Sequence, residues 1–142
     1  IRDSYCGAAI ELPDGSLITG YNTPQLHAAA SLILNTGRRL AGLSADEELI
    51  PPAVVRSLSH LKKDVLGRKR ISLDAEEALI ALGISAASGP SADIAVEKLG
   101  LFRGCEVHMT HMPSPGDEAG LRKLGVNLTT EPRFASRRLF VS

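Results

Sequence analysis

The chain has 142 residues, with 16 basic side chains balancing 16 acidic ones, 44% hydrophobic residues, 4% aromatic residues and no tryptophan. That length suits one globular domain with a core of aliphatic residues and alanine. The lack of net charge removes the global field that would draw in nucleic acid or an anionic membrane.

Local features point the same way. Lys62-Lys63 and Arg68-Lys69-Arg70 flank a glycine without interleaved aromatic rings, so they read as a solvated loop and not as a base-stacking surface. Cys6 and Cys105 are too few and too far apart for a disulfide framework or a zinc motif, and they read as buried hydrophobes in a reducing, cytoplasmic compartment. No apolar run approaches the ~18 to 20 residues of a membrane span, and no leader is visible. The first residue is Ile1 and not Met, which leads us to expect a fragment of a longer chain.

In chain order, residues 6–12 and 16–21 are rich in strand formers and are joined by Pro13-Asp14-Gly15, the punctuation of a hairpin. Thr23-Pro24 predicts a helix start, and Leu26, Ala29 or Ala30, Ile33 and Leu40 continue it at helical spacing to Gly42. Ser44-Ala-Asp-Glu47 has the form of a capping box for a short turn. After Pro51-Pro52, a stripe of Val54, Leu58, Leu61 and Val65 predicts a second helix. Asp74 caps a third, in which Leu79, Ile80, Leu82 and Ile84 surround the axis and predict burial on more than one side. Gly89-Pro90 opens a fourth helix that ends by Gly104.

At Cys105 the period changes to two: Cys105, Val107 and Met109 alternate with Glu106, His108 and Thr110, as in a strand. A short helix to Gly125, a strand over residues 126–130 and a last strand over 138–141, antiparallel to it, complete the pattern. The order predicts an α/β fold, a three-layer α/β/α sandwich with helices on both faces of a mixed sheet. It is one domain over residues 1–142, with residues 43–103 as a helical insertion.

Between the third strand and its helix lies THMPSPGD, residues 110–117. Ser114 suits an N-cap, Pro115 the first helical position, and Asp117 the third, from which its side chain can bond back to the cap. Capping accounts for every residue there. His27, Ser114 and Asp117 are also the types needed for nucleophilic hydrolysis, with Ser114 attacking, His27 as base and Asp117 orienting it. Two helix starts converging at that point would alternatively bind an anion, and a weak metal site of His27, Asp117 and His111 is a further reading. His60 reads as solvated, His108 as a hydrogen-bonded structural histidine, and His111 as facing the opposite side of its strand from His108.

The phrases GAAIELPDGSLITGYN, LHAAASLIL, THMPSPGD and AGLRKLGVNLT resemble the zinc-dependent cytidine deaminases. In that family a hairpin precedes a helix whose first turn carries His or Cys, then Ala, then Glu, and a later strand ends in a Pro-Cys-x-x-Cys turn. His27-Ala28-Ala29 and Pro113-Ser114-Pro115-Gly116-Asp117 fall at those motifs, but Ala29 stands for the proton-shuttling glutamate, and Ser114 and Asp117 for the thiolate ligands. The resemblance therefore implies the fold without an active zinc deaminase, and without a metal or other cofactor.

A resemblance over nearly the whole chain is carried by ELPDGSLITGYNTPQLHAAASLILN, EEALIALGISAASGPSADIAVEKL, LFRGCEVHMTHM and LRKLGVNLTTEP. It is to the C-terminal part of the long bacterial family catalogued as domain of unknown function eighteen forty-six, some members of which bear the description of ATP-dependent peptidases. It implies a C-terminal module whose remainder is absent; the small-residue helix faces and the crowded third helix lead us to expect that remainder and a second copy in a homo-oligomer as partners, and the balanced charge and lack of an apolar span neither nucleic acid nor membrane. The expected role is non-catalytic packing. The alternative is a contribution of His27, Ser114 and Asp117 to a hydrolase or anion-binding site between domains.

Overall fold

The computed structural model describes residues 6–134. Strands β1 (Gly7–Glu11) and β2 (Leu17–Tyr21) form the expected hairpin. Its turn is closed by Leu12 N–H to Ser16 O at 2.9 Å and by the Asp14 carboxylate accepting from Ser16 N–H at 2.9 Å. Gly15 supplies the positive φ, +86°, that this turn requires. Strands β3 (Glu106–Met109) and β4 (Asn127–Thr130) complete a mixed sheet of order β2-β1-β3-β4, with β1 antiparallel to both neighbours and β3 parallel to β4. The strand expected at 138–141 lies outside the described residues.

Among the described residues five α-helices accompany the sheet: α1 (Ala28–Leu40), α2 (Pro52–His60), α3 (Ala75–Ala86), α4 (Pro90–Glu97) and α5 (Pro115–Lys123). Among the described residues, those packed on the sheet lie on one face, not both as the sequence reading anticipated. Ala8, Ile10, Val107 and Met109 point into a core shared with Ala28, Ala29, Leu32 and Ile33 of α1 and Leu121 of α5. On the other face Glu11, Thr19, Glu106, His108, Asn127 and Thr129 are exposed. The alternation in β3 carried that information, because a strand covered on both faces would be apolar throughout. Polar pairs tie this open face together: His108 contacts Thr129 Oγ1 through Nδ1 and Glu131 Oε2 through Nε2, each at 2.7 Å.

Helix α1 presses against the hairpin so closely that a Cβ at Gly20 would run into the backbone of Leu32. A second apolar cluster, with Leu34, Leu49, Ile50, Ala81, Leu82, Ala92 and Ala95, joins α1 to α3 and α4. In α2, Val54 and Leu58 pack against it, but Leu61 and Val65 are exposed. The helix widens into a π turn at Leu61–Val65, which rotates the expected stripe out of register. That turn buries Lys62, whose ammonium donates to Ser72 O at 2.8 Å and Glu77 Oε1 at 2.7 Å. Ser44 opens a short turn, its hydroxyl accepting from Asp46 N–H at 3.2 Å and its carbonyl from Glu47 N–H at 3.0 Å. No helix among the described residues is long and apolar enough to cross a membrane.

Two substitutions test the packing. Thr36 is fully buried in α1 with its hydroxyl unpartnered, so Thr36→Val should raise stability by about 1 kcal/mol in chemical denaturation. Gly20→Ala should lower it by about 3 kcal/mol, since the backbone of α1 has no free side chain to move aside.

Candidate functional site

The first turn of α1 does not begin at Thr23. The Thr23 hydroxyl accepts from Leu26 N–H at 3.0 Å and closes a local turn, after which Leu26 forms a parallel bridge with Leu73. His27 N–H then donates to Leu73 O at 2.8 Å, and Leu73 N–H to Gln25 O at 2.8 Å. This short ladder lays the start of α1 beside the start of α3, so His27 becomes the N-cap of α1 while Asp74 caps α3. Asp74 and Glu77 form a reciprocal capping box: Asp74 Oδ1 accepts from Glu77 N–H at 2.9 Å and Glu77 Oε1 from Asp74 N–H at 3.0 Å.

The third start, that of α5, arrives through small residues. At Gly116 a Cβ would collide with the Asp74 carboxylate, and at Gly120 it would lie 2.8 Å from the Ala75 Cβ. The pair Gly116 and Gly120, one helical turn apart, is the sequence signal that α5 lies against the head of α3. Nothing in the helical periodicity of residues 74–86 reveals the contact.

Ser114 caps α5 as expected, its hydroxyl oxygen accepting from Asp117 N–H at 3.3 Å. Asp117 does not bond back to the cap. Its carboxylate, 2% exposed, turns into the junction, where Oδ1 accepts from Ala75 N–H at 2.9 Å and Oδ2 from His27 Nδ1 at 2.8 Å. A carboxylate only accepts, so His27 carries a proton on Nδ1. One buried carboxylate in the first turn of α5 therefore joins that helix to the starts of α3 and α1. Their unpaired N–H groups and positive dipole ends are what a carboxylate needs to be stable away from water.

The charges in this junction shape one another. Burial alone would lower the His27 pKa, but the hydrogen bond and charge of Asp117, helped by Asp74, outweigh it and hold it above the ordinary value. Burial raises Asp74, and the nearby Glu77 and Asp117 charges push the same way. Burial lowers His111, with Asp117 only partly opposing it and His27 adding to it. His111 is buried and sits in the field of the pair, whereas His108 and His60 are exposed and lie apart from it, His60 paired with Asp64 at 2.8 Å. Of the three residues singled out in the sequence, His27 and Asp117 meet directly and Ser114 serves as cap beside them. Sequence reasoning missed Asp74, Ala75 and Lys62 as neighbours of the junction.

These residues do not suit zinc. Two ligand atoms bound tetrahedrally to one zinc ion stand about 3.3 Å apart with the ion between them, whereas His27 Nδ1 and Asp117 Oδ2 are bonded to each other at 2.8 Å. Among the described residues, no group of three or more His, Cys, Asp or Glu side chains could hold a metal ion.

Comparison with known proteins supplies the relationship. The family model described as "Domain of unknown function DUF1846, C-terminal" matches residues 2–140. The chain belongs to this family. It is 42% identical over 132 residues to a UPF0371 protein of Clostridium botulinum (strain Alaska E43 / Type E3), covering 93% of this chain and 26% of that protein. It is also 40% identical over 139 residues to a UPF0371 protein of Clostridium tetani, covering 98% of this chain and 28% of the relative. A UPF0371 protein of Clostridioides difficile (strain 630) is 37% identical over 134 residues, 94% of this chain and 27% of its own length. The chain thus spans about a quarter of the length of these relatives.

Removing the carboxylate should be costly. Asp117→Ala should lower stability by about 3 kcal/mol, the scale for breaking a buried charged pair. Because His27 titrates above its unfolded value, the charged part of the pair stabilises fully below the unfolded pKa of ~6.5 and is lost as pH rises through the folded one. Denaturation of wild type and Asp117→Asn should therefore give a larger deficit for the variant on the acidic side of that window than at alkaline pH. A deficit that grows with pH would contradict the pairing.

Proposed function

We propose that this chain is a non-catalytic, cytidine-deaminase-like C-terminal module of the longer family protein, in which a buried carboxylate does the joining that a metal ion does in the deaminases. The observation that carries the reading is Asp117, which spends both oxygens on helix starts, at Ala75 N–H and at His27 Nδ1. The hairpin, the helix opening at His27 and the strand–turn–helix opening at Ser114 follow the element order of that resemblance. Relatives roughly four times as long give such a module a larger body to pack against.

A gain of metal binding tests the lineage. Purified wild-type protein should contain no stoichiometric zinc by elemental analysis, and the Ser114→Cys, Asp117→Cys double variant should acquire one equivalent that His27→Ala removes. A double variant that folds yet takes up no zinc would argue against deaminase-like geometry.

One observation favours a second reading, in which His27 and Ser114 contribute to a hydrolase or anion-binding site between domains. Among the described residues only Nδ1 of His27 is engaged, its side chain is 28% exposed, and the Ser114 hydroxyl accepts a bond without donating one. A fluorophosphonate serine probe should leave Ser114 unlabelled in the full-length protein. Labelling that disappears in His27→Gln would favour the hydrolase instead.

A further inference from the structure

Helix α3 departs from the sequence expectation in a way that points outward. Its buried side is built of Ala75, Ala78, Ala81, Leu82 and Ser85, while Ile80 and Ile84 are 63% and 59% exposed. Gly83 and Ala87 are exposed as well. Positions 80, 83, 84 and 87 recur at the spacing of one helix face, so they form a continuous apolar stripe. Two isoleucines flank a notch of small residues.

Among the described residues, nothing requires a glycine at position 83. It lies within the helix without a positive φ, and a Cβ built on it would meet nothing within 4 Å. Glycine weakens a helix interior relative to alanine. An open position where a side chain would fit, and would help the helix, is explained by a neighbour that approaches from outside the described residues. An exposed pair of isoleucines beside it has the same explanation. Close approach at a glycine between larger apolar residues is how one helix seats a ridge in the groove of another.

We propose that the Ile80–Gly83–Ile84–Ala87 stripe of α3 docks an apolar helix from the part of the longer family protein that lies outside this domain. This rests on the packing role proposed above and assigns that role to one face. The occupant is inferred from length: the chain covers 26% to 28% of its relatives, leaving a body large enough to cover the stripe within one molecule. The open sheet face is the weaker candidate, since its Glu106–Asn127 and His108–Glu131 pairs already satisfy polar groups at the surface.

The test uses the full-length protein. Hydroxyl-radical footprinting of wild type should find Ile80 and Ile84 oxidised several-fold more slowly than in urea, with protection unchanged on dilution. Gly83→Leu, which this domain alone accommodates, should lower the thermal midpoint of the full-length protein by several degrees. Oxidation of both isoleucines at the unfolded rate, or a Gly83→Leu midpoint that is unchanged or higher, would overturn the proposal. Protection that fades on dilution would also overturn it, by assigning the stripe to a second copy. Protection at Leu17 and Tyr21 with none on α3 would overturn the assignment of the face but leave the packing role standing, whereas no protection anywhere on the domain would remove both.

Discussion

The described structure depends on one buried negative charge. Asp117, in the first turn of α5, is withdrawn from water, a transfer that costs several kcal/mol unless the charge is met by donors, and two donors meet it, Ala75 N–H at the start of α3 and the His27 ring at the start of α1. The dependence is mutual. Without the carboxylate, the Ala75 N–H and the His27 ring would lose the acceptor they share. With it, the starts of α1, α3 and α5 are joined, and Leu32, Ile33 and Leu121 of α1 and α5 share a core with Val107 and Met109 of β3.

The surrounding residues can be understood as serving that junction. The Leu26–Leu73 bridge brings two helix starts side by side, and Gly116 and Gly120 let the third approach. Lys62, turned inward by the π turn, ties the Ser72 carbonyl and Glu77 to the same end of α3. The local electrostatics follow: three carboxylates, those of Asp74, Glu77 and Asp117, are balanced by Lys62, by His27 with its raised pKa and by helix dipoles.

How much of this could be read from residues alone varies with how local the cause is. Pro13-Asp14-Gly15, Asp74 as a cap, Ser114 as a cap and the period-two run at Cys105 are decided within a few positions, and each appears where expected. Thr23 has the chemistry of a cap, but the Leu26–Leu73 ladder takes the chain into a strand-like step first, so the helix begins at His27. The crowding of Ile80 and Ile84 predicts burial, but both are exposed among the described residues, because helical periodicity does not say which apolar positions face the domain's own core. In a chain that covers about a quarter of its relatives, an apolar face can point outward. The meeting of His27 and Asp117 was anticipated through the deaminase resemblance; the third partner, Ala75, is 42 residues away in sequence and left no periodic trace.

The family relationship, the α/β architecture and the carboxylate junction together describe a module in which a buried carboxylate joins helix starts. That claim turns on whether Asp117 holds His27 in solution, and nitrogen-detected NMR of the His27 ring across pH measures it most directly. The account predicts a ring that keeps its proton on Nδ1 when neutral and titrates above ~6.5, returning toward that value in Asp117→Asn. A ring that titrates below it, or carries its neutral proton on Nε2, would contradict the account.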